Sequence, residues 1–247
     1  MNDLKQQIQD LSDADPAVRS QAAIALGQAV DEQAVQPLIE RLFIEPALEV
    51  REDVTWAIVK FGEAAISPLV DYLSDDSAAV RHLAVHALGK IGHVSALSHL
   101  AAMLADLDTH VRVKAIVAMG QVGAAPMATA IIGMFADQED TVRNTAMDVL
   151  TPLAATIEAD LLHALTHTEA LVREHSAVLL GGAKSQQAVE ALCTLCDDED
   201  VDVRLAAIQA LGEIGSDPAR ECLRVVANTA TGRARQLATG MLKRIES

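Results

Sequence analysis

Three groups of side chains in this 247-residue chain have types and spacings that could do chemistry. The first is Cys193-x-x-Cys196, the spacing of a dithiol redox pair or of half a zinc site. The second is Glu52, Asp53, Trp56, His82 and His86. In it Glu52 and Trp56, and likewise His82 and His86, stand four residues apart and so share one face of a helix. Carboxylates, imidazoles and the chain's single tryptophan on one face make an anchor for a partner polypeptide or a planar ligand. The third group, Asn144, Asp148, Glu174 and His175, holds corresponding places further along the chain. No nucleophile stands with a base at a catalytic spacing, and no glycine loop has a phosphate-binding pattern. The sequence therefore assigns no catalytic residue.

These residues hang on a repeated frame. The stretch Asp75 to Gly92 is an acidic turn followed by V-R-x-x-A-x-x-A-L-G-x-I-G, and its Val-Arg pair recurs at 18, 50, 80, 111, 142, 172 and 203, with Ala234-Arg235 as a weaker eighth copy. The spacings are 32, 30, 31, 31, 30, 31 and 31 residues. So constant a period predicts a solenoid of stacked supersecondary elements. Eight repeats, approximately 1–31, 32–62, 63–92, 93–123, 124–154, 155–184, 185–215 and 216–247, use the whole chain as one domain. Each reads as two helices. The second begins near the Val-Arg pair, with apolar residues such as Val80, Ala84, Leu88 and Ile91 along one face, and Gly89 and Gly92 mark its end. In the first repeat Asp15 caps the helix and Pro16 takes the first helical position. The expected fold is all-α, a right-handed α-solenoid of about eight helix-turn-helix repeats. Thr151-Pro152 and Gly181-Gly182 depart from the template and predict irregular stacking there.

A net charge of −16 excludes nucleic acid as a partner, because phosphate binding needs clustered Lys and Arg. A basic or neutral protein partner is expected. Many of the acids precede a Val-Arg pair, where they cap the next helix and complement its dipole. Residues 219–247 carry +4 against −20 for the rest, a basic tip able to meet an acidic partner or another copy head-to-tail. The same basic residues also suit the C-terminal ends of the last helices. The N-terminus has no apolar signal segment, so a cytoplasmic location is expected. The charge-free run Ala115 to Ala136 is broken by Gly120, Gly123 and Pro126 at the repeat boundary, which makes it two helices and a turn and not a membrane span.

The repeated D-x-x-V-R-x-x-A-x-x-A-L-G-x-I-G motif resembles the short HEAT-like repeat of the phycobiliprotein (bilin) lyase subunits and related bacterial proteins. The resemblance implies that second helices line a concave inner wall. It also implies that the acid and the arginine near each Val-Arg form a ladder between repeats, which makes Arg19, Arg51, Arg81, Arg112, Arg143, Arg173, Arg204 and Arg235 structural. The family includes bilin lyases, scaffolds and metal-dependent deoxyhypusine hydroxylases. The hydroxylases would carry a His-Glu dyad two residues after the valine. Here those slots read Glu52-Asp53, His82-Leu83, Val113-Lys114, Asn144-Thr145 and Glu174-His175, so the dyads that would hold iron are missing.

In the same register Cys193 and Cys196 fill slots held by Val70 and Leu73, by Ile132 and Phe135, and by Leu162 and Leu165 in other repeats, which predicts core packing. Cys222 is the one further thiol, too few for a four-cysteine zinc site. No metal and no cofactor is expected. The function read from the sequence is a non-catalytic protein-binding scaffold, adaptor or maturation factor that uses its concave face. The alternative is a bilin-lyase-like chromophore-handling subunit. For Trp56 a packing role, filling a gap left by the insertion at Ile44-Glu45-Pro46, stands beside the anchor role.

Overall fold

The computed structural model describes residues 2–246, and among them every regular element is helical. Among these residues sixteen α-helices form eight hairpins, which fall into two compact units divided after Gly123. The first unit holds α1 (Asn2–Asp10), α2 (Pro16–Ala29), α3 (Val35–Ile44), α4 (Leu48–Lys60), α5 (Ile66–Val70), α6 (Ala78–Ile91), α7 (Leu97–Ala102) and α8 (Thr109–Val122). The second holds α9 (Ala128–Gly133), α10 (Asp140–Leu150), α11 (Glu158–Ala164), α12 (Ala170–Gly182), α13 (Val189–Leu195), α14 (Val201–Ile214), α15 (Asp217–Thr229) and α16 (Gly232–Glu246). Even-numbered helices are the second helices foreseen from the Val-Arg pairs. The fold is an α-solenoid.

The starts and stops follow from local chemistry. Asp15, Asp108 and Asp200 each accept a backbone N–H of the first turn from the N-cap position, and Pro16 opens α2. Gly92 and Gly215, both in the left-handed region, end α6 and α14. α10 stops at Leu150, where Pro152 has no N–H to continue the ladder and the chain tightens into a 3₁₀ turn over Thr151–Leu153. The charge-free run is split between α8 and α9, and no helix among the described residues is long and apolar enough to cross a membrane. Between the helices the core is aliphatic: Leu26, Leu38, Leu88, Leu100 and Ile116 are fully buried, each worth about 1.5–3 kcal/mol.

The glycine of the Leu-Gly pair has a different role from the one expected. Gly89 lies inside α6, not at its end, and a methyl group there would come within 2.6 Å of the Ala118 Cβ on α8. Gly27 faces Ala57, and in the second unit Gly181 faces Ala210 and Gly212 faces Met241, in the same manner. The missing side chain lets consecutive second helices approach.

The expected ladder is present in part: Arg19, Arg81 and Arg173 form bidentate rungs to the next repeat, whereas Arg51 and Arg204 donate to carbonyls of their own turns and Arg235 is exposed. Arg19 donates from Nε and Nη2 to the Glu45 carboxylate at 2.9 and 2.8 Å, Arg81 to Asp106 at 2.7 and 2.7 Å, and Arg173 to Asp198 at 2.8 and 2.8 Å. Each of these arginines also donates to carbonyls of its own turn, as Arg81 does to Asp75 and Asp76. The accepting carboxylate in turn takes a backbone N–H two residues on: Glu45 from Ala47, Asp106 from Asp108 and Asp198 from Asp200. One side chain thus fixes the turn of its own repeat and receives the preceding one. Arg143 has no such acceptor because His167 holds the acid's place, and it pairs with Asp140 of its own helix.

Candidate binding face

In the first unit α2, α4, α6 and α8 adjoin in sequence and set their exposed positions side by side. Counting from each phase valine, the second, third, sixth and tenth residues point away from the core. Glu52 is exposed, and Asp53 beside it is held by the Ser20 hydroxyl of α2, which donates at 2.5 Å. Trp56, one turn on, is 40% exposed. Its Cζ3 edge sits over Gly27, where a methyl group would come within 3.0 Å, and the Lys60 ammonium stands 4.7 Å from its ring centroid. Ile24, Gln28, Glu52, Asp53 and Trp56 line an open cleft of about 460 Å³ between α2 and α4.

His82 and His86 lie half-buried on α6. Burial holds both imidazoles below their ordinary pKa, and the Lys114 ammonium adds to the effect. For His86 the Glu52 carboxylate opposes the shift, so the two belong to one electrostatic neighbourhood. The five predicted residues of the first unit are therefore brought together. At the insertion Glu45 is 2% exposed and bound to Arg19 and Arg41.

The other four belong to the second unit. Asn144 and Asp148 are exposed on α10. His175 is committed to structure, its ring stacked on Phe135 at 5.0 Å and its Nδ1 2.8 Å from the Leu171 carbonyl oxygen. Burial raises the neighbouring Glu174 carboxyl above its ordinary pKa.

Ser20, Gln28, Lys60 and Lys114 were not singled out in the sequence, although the register could have found them. Ser20 holds the slot of Glu52, Lys114 that of Asp53, and Gln28 and Lys60 are both tenth after their valine. The cysteines divide. Cys196 is buried as expected, its thiol donating to the Leu192 carbonyl oxygen and pushed up to about 12 by burial. Cys193 departs from the expectation of core packing: it is half-buried and disulfide-bonded to Cys222, 29 residues on. No cluster of three or more His, Cys, Asp and Glu fit to hold a metal occurs among the described residues.

The sequence profile of HEAT repeats matches residues 3–79, 66–151 and 158–243. No curated protein sequence matches the chain. Among solved structures, karyopherin Kap121p bound to the extreme C-terminus of the protein phosphatase Cdc14p is similar with a TM-score of 0.66 at 14% identity, covering 98% of this chain and 33% of that one. Human deoxyhypusine hydroxylase in complex with glycerol aligns with a TM-score of 0.43 at 20% identity, over 99% of this chain and 96% of that one. The CpcE–CpcF complex of phycocyanin lyase from Nostoc sp. PCC7120 aligns with a TM-score of 0.43 at 18% identity, over 98% and 94%. At 14% identity the likeness to Kap121p is one of fold.

Proposed function

The chain belongs to the HEAT repeat family, and from that premise we propose that it is a protein-binding scaffold whose second-helix face, in the first unit, takes a basic extended segment of its partner. The observation that carries this reading is the cleft beside Trp56, with an exposed aromatic face, two carboxylates and an aliphatic wall from Ile24. A lysine or arginine side chain suits each part. Its alkyl stem packs on Ile24, and its charge meets Glu52 and Asp53 in charge-assisted hydrogen bonds. The ring adds about 0.5–2 kcal/mol of cation–π attraction, depending on how far the cation is desolvated. Lys60 already sits over this ring, which supports a cation as the group it receives. The net charge of −16 would steer a basic partner toward the chain, with an association rate that falls as salt rises. The fold neighbour Kap121p, seen with a protein C-terminus bound, supports a polypeptide as the ligand class.

Calorimetric titration with a soluble Arg-Gly-Ser peptide, against the same peptide with Glu for Arg, tests this. The basic peptide should bind and the acidic one should not. Glu52→Gln with Asp53→Asn should weaken binding about tenfold or more, the scale of an anchor contact. Equal binding of both peptides would sink the reading.

A second contact rests on the other charge. α16 exposes Arg233, Arg235 and Lys243, whereas Arg220 and Arg224 are engaged by Asp217 and Glu221 of their own helix. This basic surface suits an acidic one, including the acidic repeats of another copy in a weak head-to-tail contact. Reversing Arg233, Arg235 and Lys243 to Glu should abolish any concentration-dependent sedimentation at low salt. Sedimentation that is concentration-dependent and unchanged by the reversal would place the contact elsewhere.

A further inference from the structure

The last hairpin is tied to its neighbour by a covalent bond; it shares with the steps after Arg51 and Arg143 the lack of an arginine–carboxylate rung. Arg19–Glu45, Arg81–Asp106 and Arg173–Asp198 each reach from one repeat to the turn of the next. Arg204 donates only to carbonyls of its own turn, Asp198 at 2.6 Å and Glu199 at 3.1 Å, and the following turn, Ala230-Thr231-Gly232, offers no carboxylate. A covalent tie stands at this step instead. Cys193 on α13 and Cys222 on α15 are joined with their Cα atoms 6.0 Å apart, a separation ordinary for a bridge, and they stand 29 positions apart in the chain, close to one repeat. Both are half-buried and within reach of another molecule's disulfide, whereas Cys196 is buried and hydrogen-bonded to Leu192.

We propose that Cys193 and Cys222 form a reversible redox clasp, a dithiol/disulfide modification site that fixes the α15–α16 hairpin to the seventh repeat where the arginine–carboxylate rung is missing. Closure is a two-electron, two-proton oxidation by a small-molecule or protein disulfide. The thiolate of one cysteine attacks a sulfur of the oxidant, forming a mixed disulfide and releasing one thiol. The second thiolate then displaces the remaining half as a second thiol, so the oxidant's S–S bond breaks as the Cys193–Cys222 bond forms. A dithiol reductant runs the sequence backward. The hairpin so held carries Arg233, Arg235 and Lys243, and the clasp decides how firmly that basic surface is presented.

The test uses the full chain treated with oxidised glutathione or with a phosphine reductant. Thiol titration in denaturant should find one free thiol after oxidation and three after reduction, and peptide mapping should recover a Cys193–Cys222 link. Hydrogen exchange across α15 and α16 should quicken about tenfold or more on reduction, as a locally loosened element does, with α2 to α8 unchanged. Cys193→Ser and Cys222→Ser should each hold the fast pattern in either condition, and Cys196→Ser should keep the response. Three free thiols after oxidised glutathione, a Cys193–Cys196 link, or equal exchange in the two states of the wild-type chain would overturn the proposal.

Discussion

Gly89 and Ala118 meet so closely that a methyl group on Gly89 would stand 2.6 Å from the Ala118 Cβ. The contact decides the spacing of α6 and α8, because two helix backbones approach this far only where one side chain is absent. Gly89→Ala should therefore destabilise the protein by about 1–3 kcal/mol, the cost of overpacking a tight core. Gly133, on α9, meets nothing within 4 Å, and Gly133→Ala should be neutral or stabilise by about 0.4–1 kcal/mol. Urea denaturation of the two variants separates these outcomes.

Glu45 gives the fold an acid-sensitive joint. Hydrogen bonding to Arg19, aided by the Ala47 N–H and Arg41, holds its carboxyl at about 2, well below the ordinary 4.5, despite burial. A carboxylate depressed in the folded state contributes stability above its unfolded pKa and loses it as pH falls toward the folded value. The contribution should be complete above about pH 5 and disappear toward pH 2, amounting to about 3 kcal/mol. Glu45→Gln should be less stable by a similar amount at pH 7 and converge with wild type near pH 2. Parallel stability curves for the two proteins would show the pair to be idle.

His82 and His86 act in the next window up. Their folded pKa values lie below 6.5, so the unfolded chain binds protons first as pH drops, and stability should decline below about 6.5. Replacing both with Gln should flatten the change in denaturation midpoint between pH 7.5 and 5.5. An unaltered pH slope in that double variant would mean that neither ring is held neutral by the fold.

The frame of this protein was legible in its sequence to a degree its details were not. Val80, Arg81, Ala84 and Leu88 recur at a fixed period, and periodicity alone gives helix pairs, their phase and which residues share a face. It does not give distances between repeats. Gly89 reads as a helix end in one dimension and is a contact with Ala118 in three. Cys193 reads as a core residue in the slot of Val70, but bridges to Cys222 because stacking brings α15 against α13. Glu45 escaped notice because the acids fifth before the valine elsewhere are aspartates and because Pro46 marks it as part of an insertion, although it holds that same place before Val50 as Asp75 does before Val80. The i, i+4 spacing puts Glu52 with Trp56, and His82 with His86, on one face of a helix. Lys60 and Ser20, which cover the ring and hold Asp53, follow only when the same register is read across neighbouring repeats.

Trp56 is the only tryptophan, so its emission reports on the cleft between α2 and α4 and on nothing else in the chain. Titrating the wild-type protein with the Arg-Gly-Ser peptide while following that emission addresses the proposed function most directly. A saturable change in intensity or wavelength is expected, weaker at high salt, absent with the Glu peptide and lost in the Glu52→Gln, Asp53→Asn variant. Saturable binding of the peptide by calorimetry with Trp56 emission unmoved would contradict the assignment of this cleft as the place where a basic partner docks.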